Sequence, residues 1–106
     1  MSTEQASFRT AVPAALKRFC SDTFSAAGAD EASSVALSAA LMHASIHGVD
    51  SHGVRLLPHY VGALKGGRLN GNPVLHFRQT RSGSGMLNAN HAQGALATYR
   101  AAEKAL

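Results

Sequence analysis

Apolar residues recur along this chain at helical spacing in four places and at strand spacing in one. Leu16, Phe19, Cys20, Thr23, Phe24 and Ala27 form one face of a helix expected over about 13–27, with Pro13 suited to its first turn and Gly28 to its end. A second helix is expected over about 30–47, capped by Asp30 or its predecessor, with Glu31 in the first turn. It carries two apolar seams, Val35-Ala39-Met42-Ile46 and Leu37-Leu41-Ala44, with Ser and Ala between them. Such a helix packs against more than one neighbour. Val54, Leu57, Val61 and Leu64 predict a third helix over about 54–65, beginning near Val54 or Arg55 because Pro58 is tolerated only in a first turn, and ended by Gly66-Gly67. Val74 to Thr80 alternates, with Val74, His76, Arg78 and Thr80 on one side and Leu75, Phe77 and Gln79 on the other. With a turn at Ser82-Gly83-Ser84-Gly85 and a return strand at Met86 to Ala89, this reads as a β-hairpin over about 74–89. Asn90 is expected to cap a last helix over about 91–106, with Ala92, Leu96, Tyr99, Ala102 and Leu106 on one side. Met1 to Ala6 is polar and expected to fray.

These elements make an α+β segment with a helical part, 7–67, and a sheet-containing part, 74–106. A lone hairpin is marginal and its edges want partners, and the last helix stays apolar to Leu106. The expectation is the front segment of a larger α/β protein, or a subunit that completes its sheet with another chain. The 106 residues suffice for one core but not for a cofactor domain plus a substrate domain.

Composition narrows the function classes. The formal charge is +4, but the ten Lys and Arg are scattered and aromatics are few, so a nucleic-acid partner is not expected. A general attraction for small anions suits the excess better. No apolar run approaches the roughly 18 residues of a membrane span, and no basic-then-apolar leader opens the chain. The single Cys20 permits no intrachain disulfide, and its helical position is that of a small core residue. A cytoplasmic location is the expectation.

Chemistry concentrates in His47-Gly48-Val49-Asp50-Ser51-His52-Gly53, where two Gly, two His, an Asp and a Ser fall between helical segments. Gly48 and Gly53 are read as supplying backbone angles that other residues resist. His52 beside Ser51 is the acid–base candidate, since imidazole exchanges protons near neutral pH. Neighbouring side chains rarely face each other, so His52 is read as facing substrate and not as the base of a Ser51 nucleophile. The N-terminus of the following helix would favour an anion. The plainer reading is a turn in which Asp50 or Ser51 caps and His52 is solvated. His43 and His47, four apart, with Asp50, His52 and His59 nearby, raise a metal site. The absence of HExxH and of Cys ligands tells against it, and no metal is expected. Arg55 and His59, also four apart, could bind a carboxylate or simply be solvated. Asn90-His91-Ala92-Gln93-Gly94 could admit a phosphate at a helix start, although ordinary capping explains it better.

Gly48-Val49-Asp50-Ser51-His52-Gly53-Val54 followed by Leu57-Pro58-His59-Tyr60-Val61 resembles the signature of the type-2 malate/L-lactate dehydrogenase family. That family includes ureidoglycolate, sulfolactate and diketogulonate oxidoreductases and cyclic imino-acid reductases. Lys65-Gly66-Gly67-Arg68-Leu69-Asn70 and Asn88-Ala89-Asn90-His91-Ala92-Gln93-Gly94 resemble two further family segments, so the likeness covers nearly the whole chain. It implies a non-Rossmann α/β oxidoreductase in which 74–106 begin the cofactor domain. It also implies interconversion of 2-hydroxy and 2-keto acids (or reduction of cyclic imines) with NAD or NADP, a homodimer, and a Ser51–His52 pair facing substrate and nicotinamide. Which residues bind the cofactor is not indicated. The family's carboxylate-binding Arg falls at Leu56, and Arg55 stands one residue earlier, about 100° around a helix. Arg55 can replace it only at a loop–helix join. Family members are much longer, with a second His and most nucleotide contacts beyond this stretch, so the chain alone is expected to be inactive. The competing expectations are a catalytically silent accessory subunit and a small metal-binding helical domain.

Overall fold

The computed structural model describes residues 10–106, so the expectation for Met1 to Ala6 and the start of the helical part at 7 lie outside the described residues. Four α-helices and a two-stranded antiparallel sheet make a mixed α+β fold, as the patterning predicts. They are α1 (Pro13–Ala26), α2 (Glu31–Ile46), α3 (Leu57–Lys65), β1 (His76–Arg81), β2 (Ser84–Asn88) and α4 (Gly94–Ala105).

α1 opens on Pro13, and its chain reverses at Gly28, whose φ of 108° suits glycine. Asp30 then caps α2, its carboxylate accepting from the Ser33 N–H at 2.9 Å. Cys20 and Phe24 of α1 are fully buried against Leu37 and Leu41 of α2, and Leu16, Val54, Leu57, Tyr60, Val61 and Leu64 pack around them. Burial pushes the Cys20 thiol up from its ordinary value, which suits a core residue. α2 meets α1 on one side and α4 on another, so its buried arc is wide and takes in Ser33, Ser34 and Ser38. Ser34 bonds Ser25 across the helix pair at 3.0 Å, while the Ser33 and Ser38 hydroxyls have no partner among the described residues.

Two expected faces are narrower than their periodicity. Phe19 is 58% exposed, since it lies one position around α1 from Cys20, on the side away from α2. In the Val35-Ala39-Met42-Ile46 seam only Met42 is buried. The ends of that seam, Val35 and Ile46, are 52% and 63% exposed, and the one buried residue of α4 is Leu96.

The third helix starts later than expected. Val54–Leu56 forms a 3₁₀ turn, and regular α-helix begins at Leu57 with Pro58 in its first turn. Proline's fixed φ and missing N–H explain the late start, and the tighter winding before it satisfies the Leu56 and Leu57 N–H groups on the Gly53 and Val54 carbonyls. Beyond Gly67, at φ 80°, the loop returns to the start of α2. The Gly71 carbonyl accepts from the Asp30 N–H at 2.7 Å, and a Cβ on Gly71 would run into the Gly28 carbonyl.

The hairpin pairs Phe77 with Leu87 and Arg78 with Met86, and closes through the two residues Ser82 and Gly83. Ser84 and Gly85, expected in the turn, belong to β2, and a bulge between Gln79 and Arg81 takes up the difference. The alternation is as predicted: Leu75, Phe77 and Leu87 line the side towards Leu96, Arg100 and Lys104 of α4, and His76 and Arg78 lie opposite. Lys104 sits 5.4 Å from the centre of the Phe77 ring. Most of the hairpin is exposed.

The last helix is capped by Gln93, not Asn90. The Gln93 side chain accepts from the Ala95 N–H at 2.6 Å, while Asn90 and His91 take positive φ, 54° and 60°, in a turn closed by Ala92 N–H on the Ala89 carbonyl. No described helix is long and apolar enough to cross a membrane.

Candidate active site

The polar segment sits on the C-terminal end of α2. His47 caps that helix and its ring Nδ1 bonds the His43 carbonyl at 2.8 Å, before Gly48 turns the chain at φ 77°. Val49 then returns its N–H to the Ala44 carbonyl at 2.8 Å. Asp50–His52 forms a 3₁₀ turn, not an irregular loop, closed by the His52 N–H on the Val49 carbonyl and the Gly53 N–H on the Asp50 carbonyl. The Val54 N–H donates to the Ser45 hydroxyl at 2.9 Å. Residues 49–54 are therefore tied at both ends to two consecutive residues of α2, Ala44 and Ser45.

Gly53 earns its place through space and not through its backbone angle. Its φ of −95° is open to any residue, but a Cβ there would collide with the Ser45 hydroxyl and come within 3.2 Å of the Ser45 Cβ. Gly48 does use the left-handed region, as expected of it.

Ser51 and His52 meet directly, with Oγ and Nδ1 2.8 Å apart, contrary to the expectation for adjacent side chains. Nδ1 is the ring nitrogen nearer the backbone and a serine hydroxyl is short, so an exposed tight turn lets the two close. Ser51 therefore engages His52 and does not cap, and no side-chain cap serves either 3₁₀ turn or α3. Ser51, not Asp50, is the group on Nδ1. Nε2 is the nitrogen this bond leaves available to a ligand, and both residues are exposed.

The anion-binding helix end is largely used up. The N–H groups of His52, Gly53, Val54, Leu56 and Leu57 all have acceptors within the chain. The cationic group that remains on the segment is Arg55, exposed in the 3₁₀ turn between the loop and α3, three positions from His52. His59 lies beyond it in α3, its ring edge-on to Tyr60 at 5.1 Å. Arg55 and His59 therefore do not share one regular helix.

The His43 and His47 rings lie with centres 4.3 Å apart and planes tilted by 37°. Among the described residues no group of three or more His, Cys, Asp or Glu is placed to hold a metal ion. The Asn90–His91 turn is elsewhere. Asn70 holds it, its backbone N–H on the His91 carbonyl at 2.9 Å and its side chain on the Asn90 carbonyl at 3.2 Å. Asn70 adjoins Gly71, which is bonded to Asp30 at the N-terminal end of α2. The length of α2, about 23 Å for its residues at helical rise, separates that end from Ser51 and His52. Ser45 was missed by the sequence reading. Its only sequence signal is a hydroxyl three residues before a Gly-bounded loop, which is too common to single out.

A helical layer with a hairpin behind it, carrying a Ser–His pair on a loop pinned to its longest helix, is a segment of a larger oxidoreductase fold. The chain belongs to the malate/L-lactate dehydrogenase family, whose model matches residues 12–106. Three solved structures share the fold. Malate dehydrogenase from Pyrococcus horikoshii OT3 is 23% identical with a TM-score of 0.80, over 86% of this chain and 26% of that one. A dehydrogenase from Sinorhizobium meliloti is 20% identical with a TM-score of 0.84, over 92% of this chain and 30% of that one. Delta1-piperideine-2-carboxylate reductase from Pseudomonas syringae pvar. tomato is 19% identical with a TM-score of 0.85, over 92% of this chain and 30% of that one. The chain thus spans 26–30% of the solved chains it matches. None of the curated proteins compared matches it significantly.

Proposed function

We propose that this chain is the N-terminal part of an NAD- or NADP-dependent oxidoreductase that interconverts 2-hydroxy and 2-keto acids, with 7–67 as its helical part and 74–106 as the start of its cofactor domain. The observation that carries the reading is the Ser51–His52 bond on an exposed, doubly tied loop in a chain of this family. His52 Nε2 exchanges the proton at the substrate's carbonyl or hydroxyl oxygen. Ser51 holds the ring through Nδ1, its hydroxyl oxygen accepting from the ring N–H when the imidazole is protonated. Arg55, at the loop–helix join, pairs with the substrate carboxylate. In this reading the enzyme is cytoplasmic, and it assembles as a homodimer or with further polypeptide.

The described residues do not form a cradle for a dinucleotide. At the start of α4, where a phosphate would approach, the Ala95 N–H is already held by Gln93, and no other glycine-rich strand-to-helix turn is present among them. The roles proposed for Ser51, His52 and Arg55 are proton handling and substrate orientation.

The test is His52→Ala in the protein that turns over a 2-keto acid with NADH or NADPH. Turnover should fall at least about tenfold, the usual range for losing a general acid or base, with the circular dichroism spectrum unchanged. Unchanged kinetics would remove His52 from the mechanism. Absence of any turnover by the unmodified protein would favour an accessory subunit.

A further inference from the structure

We infer that Ser45 is the residue that positions the Ser51–His52 pair; the consequence for catalysis rests on the function proposed above. Packing does little to hold the loop. Val49 is 47% exposed, and Asp50, Ser51 and His52 are exposed as well. Val54 packs on the core at one end, and residues 49–52 between are held by hydrogen bonding at the loop's two ends. One end is a backbone bond, Val49 N–H to the Ala44 carbonyl, which any sequence could make. The other depends on a side chain: the Val54 N–H has the Ser45 hydroxyl as its acceptor at 2.9 Å, in a partly buried place.

The bond exists because two residues match. Gly53 is buried and lacks a Cβ, and the Ser45 hydroxyl occupies the space that a Cβ would need. Gly53 therefore lets α2 approach the loop, and Ser45 uses the approach to bind the next N–H. That N–H belongs to the residue between His52-Gly53 on one side and Arg55 on the other. One hydroxyl thus anchors to α2 the backbone that lies between the proposed proton carrier and the proposed carboxylate ligand. With alanine at 45 the helix would remain, but the Val54 N–H would lose its acceptor, and that end of the loop would be held only by the packing of Val54 on the core.

Ser45→Ala, Ser45→Thr, Gly53→Ala and the Ser45→Ala/Gly53→Ala double variant test this in the same protein. Two readouts do not require turnover: hydrogen exchange at the Val54 amide and the imidazole nitrogen chemical shifts of His52. Ser45→Ala should speed Val54 exchange about tenfold or more and move the His52 signals, and Ser45→Thr, which keeps the hydroxyl, should restore both. Gly53→Ala should lower the melting temperature, and removing the Ser45 hydroxyl should recover part of that loss by making room. The His52 signals of the double variant should nevertheless stay where Ser45→Ala puts them. A purely structural role for Ser45 would not produce that split.

In turnover, Ser45→Ala should lower kcat about tenfold, more than it changes KM, because loosening a placed group costs reactive geometry before it costs binding. Unchanged Val54 exchange and His52 signals in Ser45→Ala would overturn the inference whatever the activity. Moved signals with an unaltered kcat would overturn its catalytic part. Moved signals in a protein whose unmodified form turns over no 2-keto acid would sink the proposed function and leave the positioning role standing.

Discussion

Asn90 and His91 occupy the left-handed region in succession, where a β-carbon crowds the backbone. Asn tolerates that region and His does so less well, and the strain is held by the two bonds from Asn70. His91→Gly should relieve it without touching the proposed catalytic residues, and denaturant unfolding should show a gain of about 1 kcal/mol. A loss would mean that the imidazole makes a contact of its own. Cys20 and Phe24 mark the opposite case, residues whose place follows from size and polarity alone. Ser51 and His52 lie between these cases. Their types and spacing are visible in the chain, but the 2.8 Å bond between them follows from a 3₁₀ turn that no periodicity announces.

At the scale of elements, each helix and strand was legible to within a few residues, and the errors share a cause. Pro58 gave the correct rule, first turn only, but the rule did not say that the three residues before it would wind as 3₁₀. Gln93 is a poor capper by preference and caps α4 because Asn90 is committed to another turn. The connection between α3 and β1 reads as a plain polar loop, yet it is a structural joint. The Gly71 carbonyl accepts from the Asp30 N–H at the α1–α2 corner, and the Asn72 side chain donates to the Gly28 carbonyl at 3.3 Å. Gly71→Ala must push these segments apart, and should cost roughly 2 kcal/mol or more, in the range of buried overpacking. The same change at Gly62, where an added Cβ would meet nothing within 4 Å, is the control and should be neutral or slightly stabilising, as alanine favours a helix interior. Equal effects at both positions would contradict the joint.

At the scale of the whole molecule the chain is elongated, 60 × 28 × 23 Å, with a radius of gyration of 16.2 Å. A compact domain of this length would have about 13 Å. The excess goes with the contrast between the packed helices and the exposed hairpin. An open cleft of about 420 Å³ is lined by Phe77 and Leu87 of the hairpin and by Leu96, Arg100 and Lys104 of α4. Hydrogen exchange should reflect that division. Amides of α1 and α2 around Cys20, Phe24, Leu37 and Leu41 should be the slowest, and those of β1 and β2 faster by orders of magnitude, since a lone hairpin opens easily. Uniform protection across both would mean that the hairpin is covered in solution.

What the order of residues determined by itself was local: which stretches coil, which extend, where glycine breaks them, and which seven residues gather the polar groups of the proposed site. Those outcomes depend on periodicity and on backbone preference within a few positions. The clasp of Ser45 on Val54, the closeness that excludes a side chain at Gly53, and the separation of the His52 and His91 segments to opposite ends of α2 were decided only by packing. Each joins groups whose meeting depends on how one helix lies against a neighbouring segment, and no short-range pattern encodes that.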